Sequence, residues 1–153
     1  MNGENNFDFY NPTDEHRMLR EMVRQFVSEK VEKQALEYDR DEKFNVDLFR
    51  ELGELGLLGL TASVEYGGSG LDAISAVLVH EELSASDPGL CLAYLAHSML
   101  FVNNLSVNGS SKQKDRLLED FCSGKKIGCM AMSEPDYGTD ALGMKTTAIK
   151  LDD

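Results

Sequence analysis

The stretch from Leu90 to Val107 constrains the fold more than any other part of the chain. Leu92, Tyr94, Leu95, Met99, Leu100, Phe101, Val102, Leu105 and Val107 leave almost no polar face, and the small Ala93 and Ala96 lie between them. A helix apolar on every side needs several neighbours, so the pattern predicts the central helix of an all-α domain. Asp87-Pro88-Gly89 is expected to break the chain before it, and Gly109 to end it. No window approaches ~20 uninterrupted apolar residues, so no membrane span is expected.

The neighbours are legible on either side. Thr13 can cap a first helix, with Asp14 and Glu15 in the turn where the helix dipole favours anions. Met18/Leu19, Met22/Val23, Phe26/Val27 and Val31 then recur at three- and four-residue steps, as a buried stripe does. The charged run Lys33 to Lys43 either continues or frays that helix. Asn45 caps a second, with Leu48, Phe49, Leu52 and Leu55 on one face. Gly56-Leu57-Leu58-Gly59-Leu60 is too apolar for an exposed loop and reads as a buried connection. Three glycines within Glu65 to Gly70 predict a turn with positive φ. Asp72 caps a third helix through about Ala85. Ser110 with Gln113 has the form of a capping box for a last helix through Cys122, closed by Gly124. The expectation is about five helices over residues 1–126, with Met1 to Pro12 a loosely docked terminus.

Beyond Lys125 the period changes. Ile127 to Met132 is a short apolar run fit for a strand, and Met144 to Lys150 alternates as a second strand would. Ser133 to Asp140 is a polar turn segment between them. Two strands alone do not make a stable sheet in water. Residues 127–153 therefore read as the first two strands of an incomplete, barrel-like β domain, the chain being truncated within it.

Several function classes are disfavoured. With 27 acidic against 15 basic side chains the net charge is −12, which repels nucleic-acid backbones and anionic lipid surfaces. His16, His80 and His97 have no metal-ligand spacing, so no metal is expected. His97, in the apolar helix, reads as a hydrogen-bonded core histidine. Cys91, Cys122 and Cys129 are an odd number without a CxxC pair and read as reduced, structural thiols. The polar, acidic start lacks the pattern of a signal or transit peptide, and a cytoplasmic location is expected. Ser133 lies outside any G-x-S-x-G context, and the 67–70 glycines form neither a dinucleotide fingerprint nor a Walker loop.

The informative segment runs from Gly128 to Asp140. Met130-Ala131-Met132-Ser133-Glu134-Pro135 followed by Gly138-Thr139-Asp140 closely resembles the first flavin-contacting signature of the acyl-CoA dehydrogenase family. The resemblance extends back through Leu52-Gly53, Gly59-Leu60, Glu65-Tyr66-Gly67-Gly68, His80-Glu81-Glu82-Leu83, Ala96-His97-Ser98 and Asn108-Gly109-Ser110 to Gln113-Lys114. Its wording is nearest to the isovaleryl-like, short branched-chain branch. Each earlier piece is weak alone; the ordered set at matching spacing is strong.

The resemblance implies FAD as cofactor and an acyl-CoA thioester as substrate, oxidised to its α,β-unsaturated form. Electrons would pass to an electron-transfer flavoprotein, and the full-length protein would be a homotetramer. By the family pattern Ser133 supplies a donor to the N5/O4 side of the flavin, where negative charge grows as hydride arrives. Met130, Ala131 and Met132 would form the apolar surface beside the ring. Gly138 would permit close backbone approach, and Thr139 would contact both flavin and the pantetheine of CoA. Leu92, Ala93, Ala96 and Leu100 fall where relatives line the acyl-chain pocket, although an apolar stripe is equally what core packing requires. The small Ala93 and Ala96 would leave room for a short or branched acyl group.

Departures from the pattern are Asp136-Tyr137 in place of a small pair, Thr139 where serine is usual, and Ser63-Val64 without a proline. The family's glutamate base lies in a carboxy-terminal bundle, and none of Glu65, Glu81, Glu82 or Glu134 matches it, so no catalytic residue is assigned. The chain also has no Trp, and so lacks the second flavin motif. Alone it is expected to be inactive. The alternatives are an acyl-CoA oxidase or flavin monooxygenase on the same scaffold, and a non-enzymatic helical module that binds a partner.

Overall fold

A computed structural model describes residues 10–151. Five helices carry the fold: α1 over 14–40, α2 over Val46–Glu54, α3 over Ala73–Ser84, α4 over Pro88–Asn108 and α5 over Ser111–Cys122. Each begins where a side chain can accept from the first turn. Thr13, Asn45, Asp72 and Asp87 take the amides of His16, Leu48, Ser75 and Leu90. Ser110 and Gln113 form the reciprocal capping box. These bonds satisfy donors that no helical carbonyl can reach.

The charged run after Val31 continues α1 to Arg40 with no residue buried, so it is an exposed extension. Asp87-Pro88-Gly89, expected to break the chain, instead starts α4. Asp87 is the cap and Pro88 the first helical residue, where its missing N–H costs nothing. Two stretches, Val27–Val31 in α1 and Leu95–Asn103 in α4, are wound more widely, with i→i+5 bonding. No sequence signal marked either.

The main core gathers Val23, Phe26 and Val31 of α1 with Phe49 and Leu52 of α2, and Leu83 and Tyr94 from α3 and α4. Leu57, Leu58 and Leu60 are buried, as expected for the Gly56–Leu60 connection, and Tyr94 donates its hydroxyl to the Leu57 carbonyl at 3.1 Å. A smaller cluster joins Ala62, Val102, Leu118 and Cys122. The glycine turn behaves as its composition predicts. Gly67 has φ +80°, and a Cβ on Gly68 would come within 2.2 Å of the Ala62 carbonyl oxygen.

The expected central helix needs correction. α4 does bury Cys91, Tyr94, His97, Ser98 and Val102, but Leu92 is 65% and Val107 69% exposed. Its neighbours cover only part of its circumference. It is long and apolar enough to cross a membrane by length and composition alone, yet its buried side belongs to the bundle core.

The two strands are not present among the described residues. Residues 127–133 and 144–151 run without ladder partners, and an isolated bridge joins Glu134 to Tyr137. An extended segment without a partner forms no sheet. Of the terminus Met1 to Pro12, residues 1–9 lie outside the described part.

Candidate functional site

The site is built on α4 and on the segment that follows α5. His97 is fully buried on α4, with the ring of Phe49 edge-on at 5.3 Å between centroids. Its Nδ1 accepts the Gly128 backbone N–H at 3.0 Å, and its Nε2 donates to the Phe121 carbonyl at 3.0 Å. The core histidine expected from sequence is therefore also a tether. Burial pulls its pKa down, against the smaller effects of these two bonds, which favours the neutral ring. Gly128 is the one buried residue of 127–151, and a Cβ there would be 2.1 Å from the Phe101 ring.

Past that tether the segment borders an open hollow of about 400 Å³. Leu100, Phe101, Asn104 and Leu105 of α4 form one side, and Cys129, Met130 and Ala131 the other. The structure thus brings Leu100, expected in the acyl wall, against Met130 and Ala131, expected beside the flavin. Ala93 and Ala96 are half-buried on α4, and Ala93 packs on the main core. Leu92 is exposed. None of these three borders the hollow. Met132, Ser133, Gly138 and Thr139 are exposed beyond it. Among the described residues nothing lies within 4 Å of a Cβ built on Gly138, so the space above its backbone is open.

The loop carrying Gly138 and Thr139 is held by one side chain. The Glu134 carboxylate accepts the backbone N–H groups of Lys145 (2.8 Å) and Thr146 (2.7 Å), and the Thr146 hydroxyl. These donors, Lys145 first, hold its pKa below the usual carboxylate value. Glu134 and Tyr137 exchange backbone bonds at 3.0 and 3.1 Å, and Lys145 Nζ lies 5.2 Å above the Tyr137 ring. Glu134 thus pins residues 145 and 146 to the loop. Glu81 and Glu82 are likewise engaged, in ion pairs with Arg20 and Arg24 of α1.

Sequence reasoning missed a second, larger groove of about 730 Å³ between α3 and α4. Leu71, Ala76, Val77, Leu95 and Met99 line it, with Thr61, Asn103 and Glu81 among its polar groups. His80 also borders it. Its Nδ1 donates to the Ala76 carbonyl at 2.6 Å, while the buried Nε2 finds no partner in the structure. A signal did exist: Ile74, Val77 and Val79 spread apolar character around α3, more than one buried face can use. No cluster of His, Cys, Asp or Glu among the described residues could hold a metal.

The residues of 130–139 fit one side of a planar, partly apolar cofactor. Met132 and Ala131 offer uncovered apolar surface, Ser133 a free-standing hydroxyl position, and Gly138 open space above its Cα.

Residues 13–125 match the family model "Acyl-CoA dehydrogenase, N-terminal domain". Isovaleryl-CoA dehydrogenase, mitochondrial, of Pongo abelii is 44% identical over 140 residues, 90% of this chain and 33% of the relative. The structure of butyryl-CoA dehydrogenase from Megasphaera elsdenii superposes with a TM-score of 0.81 at 32% identity, covering 91% of this chain and 37% of that one. An acyl-CoA dehydrogenase complexed with FAD from Bacillus anthracis gives 0.76 at 34% identity, covering 87% and 23%. The chain spans about a third of the length of the curated relatives it matches.

Proposed function

The chain belongs to the acyl-CoA dehydrogenase family, and from that premise we propose that it is the amino-terminal part of an FAD-dependent enzyme desaturating a short or branched acyl-CoA at its α,β bond. Residues 1–126 are then the helical domain, and 127–153 open a middle β domain. The observation that carries the reading is the shared hollow, where Leu100 faces Met130 and Ala131. The stretch matching the flavin signature lies directly against the helix matching the acyl wall.

In this reading Met130, Ala131 and Met132 hold the apolar side of the cofactor, and Ser133 donates a hydrogen bond to its polar edge. Gly138 leaves room for it, and Thr139 reaches both it and the pantetheine arm. Leu92, Ala93, Ala96 and Leu100 bound the acyl chain and keep water from it. Bound FAD would supply the hydride acceptor. The base that takes the α-proton is not among Glu65, Glu81, Glu82 or Glu134. An electron-transfer flavoprotein as acceptor, a homotetrameric assembly, a cytoplasmic location and inactivity of the 153-residue chain alone belong to the same proposal. The mitochondrial label of the Pongo abelii relative lends the cytoplasmic part no support.

The test is to express the full-length polypeptide and assay it with isovaleryl- and butyryl-CoA against an artificial electron acceptor. The expected result is a yellow protein with one FAD per chain and acceptor reduction without peroxide. Peroxide in place of acceptor reduction would assign an oxidase, and a colourless, inactive protein would overturn the reading. Ala96→Leu should shift preference toward shorter acyl chains. An unchanged chain-length profile removes Ala96 from the acyl wall.

A further inference from the structure

His97 joins the two halves of the proposed site through Nδ1, and ties α4 to α5 through Nε2. The Gly128 backbone N–H can only donate and the Phe121 carbonyl can only accept, so the bonds at 3.0 Å each require the neutral ring with its proton on Nε2. We propose that His97 is a positioning residue whose neutral imidazole sets the register of the 128–133 segment against α4, and thereby the placement of the cofactor-contacting residues beside the acyl wall. The proposal rests on the dehydrogenase reading above.

Two contacts fix the segment independently. The His97–Gly128 bond sets its position along α4. The missing side chain of Gly128 sets its distance from α4, since a Cβ would lie 2.1 Å from the Phe101 ring. Two residues of extended chain span about 7 Å, which leaves little slack between Gly128 and Met130. Met130 and Ala131 therefore inherit this placement, and both border the hollow with Leu100. A residue serving only to fill the core would need neither bond. Phe49 from α2 and Phe121 from α5 already pack on the ring with apolar surface.

Protonation would break the arrangement, because a cationic ring presents a donor to the Gly128 N–H. The groups facing the ring from α2, α5 and the 128 segment are Phe49, Phe121 and backbone, and no charged side chain shifts its proton affinity. Burial alone keeps it neutral, with a folded pKa below the ordinary histidine value. The tether is then complete above pH ~6.5 and is lost as pH falls from there through the lowered folded value. His16 is bonded to Asp72 and His80 to the Ala76 carbonyl, and neither contact involves residue 97.

The experiment compares full-length wild type, His97→Gln and His97→Leu as purified holoenzymes. Gln offers one acceptor and one donor and cannot be protonated; Leu offers neither. Three quantities are read: FAD retention, the flavin absorption spectrum, and hydrogen exchange of the Gly128 amide, each from pH 5 to 8. His97→Leu should weaken FAD retention about tenfold, the factor for losing one buried hydrogen bond, perturb the spectrum and speed Gly128 exchange. His97→Gln should restore all three at neutral pH and abolish the acid-side loss that wild type shows. Gly128→Ala tests the same register without touching the buried ring, and should perturb the flavin spectrum even where His97→Leu fails to fold.

Faster Gly128 exchange in His97→Leu with an unaltered flavin would reduce His97 to a core residue and overturn the proposal. So would a His97→Gln pH profile identical to wild type, or an unperturbed Gly128→Ala. A wild type without flavin would instead overturn the dehydrogenase reading, and this proposal with it.

Discussion

Residues 14–126 and residues 127–151 are held in place by different means. In the helical body every long element starts on its own cap and buries apolar side chains from at least two helices. In the tail one glycine is buried, one histidine anchors it, and one carboxylate ties the loop beyond. The residues matching the flavin signature lie in this sparsely held part. Their geometry depends on a few polar bonds, whereas the body depends on the sum of many apolar contacts. Damage to the body should therefore appear as lost global stability, and damage to the tail as lost local order.

The largest effect is expected at Phe49. It is fully buried in the main core and lies edge-on to His97. Phe49→Ala should cost about 3–5 kcal/mol in urea unfolding, as a cavity in a packed core does. It should also speed Gly128 exchange, because the anchor loses its packing. A cost below about 1 kcal/mol would mean that the body is not stabilised by this core.

Next is Glu82, whose carboxylate takes Arg20 at 2.6 Å and Arg24 at 2.8 Å across the α1–α3 contact. The Arg20 and Glu82 side chains are only 14% and 11% exposed, and Glu82→Ala would leave Glu81 at 2.6 Å as the remaining carboxylate partner of Arg20. Glu82→Ala should cost about 2–3 kcal/mol, below the range for fully buried pairs because Arg24 remains solvated. Tail exchange should not change; if it does, the two regions are coupled through α3.

What could be read from the sequence follows the same division. All four side-chain caps of α1, α2, α3 and α5, the buried 56–60 connection and the positive-φ glycine turn were legible, because each is a local choice with a local partner. The expected break is present but ends at Asp87, because a proline that breaks one helix is equally suited to begin the next. The two strands do not form among the described residues because pairing is a non-local property, and an apolar run at 127–132 with alternation at 144–150 does not say what lies alongside. The wide turns in α1 and α4 have no residue signature. Of the site, the 130–139 signature was legible as a pattern. The anchor was half-legible, since His97 was read as a bonded core residue but its partner, 31 positions later, had no signal. The α3–α4 groove is not legible, because uniform apolarity does not distinguish a fully buried helix from one that lines an open groove.

A smaller effect is expected at Asp72, which caps α3 and accepts from Ser75 N, Ser75 Oγ and His16 Nε2. Asp72→Ala should cost about 1 kcal/mol, the usual loss for a removed cap. The Ser75 amide first, and then His16, lower the carboxyl from its ordinary 3.8 to about 2. A carboxylate with a lowered folded pKa stabilises above its unfolded value, and that contribution drains away as pH falls from 3.8 toward 2. Asp72→Asn keeps the cap but cannot titrate, so its urea midpoint should lose less between pH 4 and 2 than wild type. Parallel acid limbs would show that Asp72 contributes nothing there.

The sharpest separation of body from tail comes from the substitution with the smallest global effect. The Glu134 carboxylate accepts three hydrogen bonds from Lys145 and Thr146, all of them exposed to solvent. A glutamine there keeps one acceptor oxygen but turns an NH2 group toward backbone donors, so at least one bond must break. Because the hydrogen bonds of Glu134 among the described residues all go to Tyr137, Lys145 and Thr146, Glu134→Gln should leave the urea midpoint of the body unchanged. NMR amide exchange at Lys145 and Thr146 should nevertheless speed up, with that at Gly128 unaffected, since the anchor lies before the loop and is made by different atoms. Acid should mimic the substitution in wild type: the pin holds above the ordinary carboxylate pKa and is lost as pH falls through the lowered one. Unchanged exchange at 145 and 146 would remove the pin. A lowered urea midpoint would show instead that the loop stabilises the helices, and the two regions would then have to be treated as one cooperative unit.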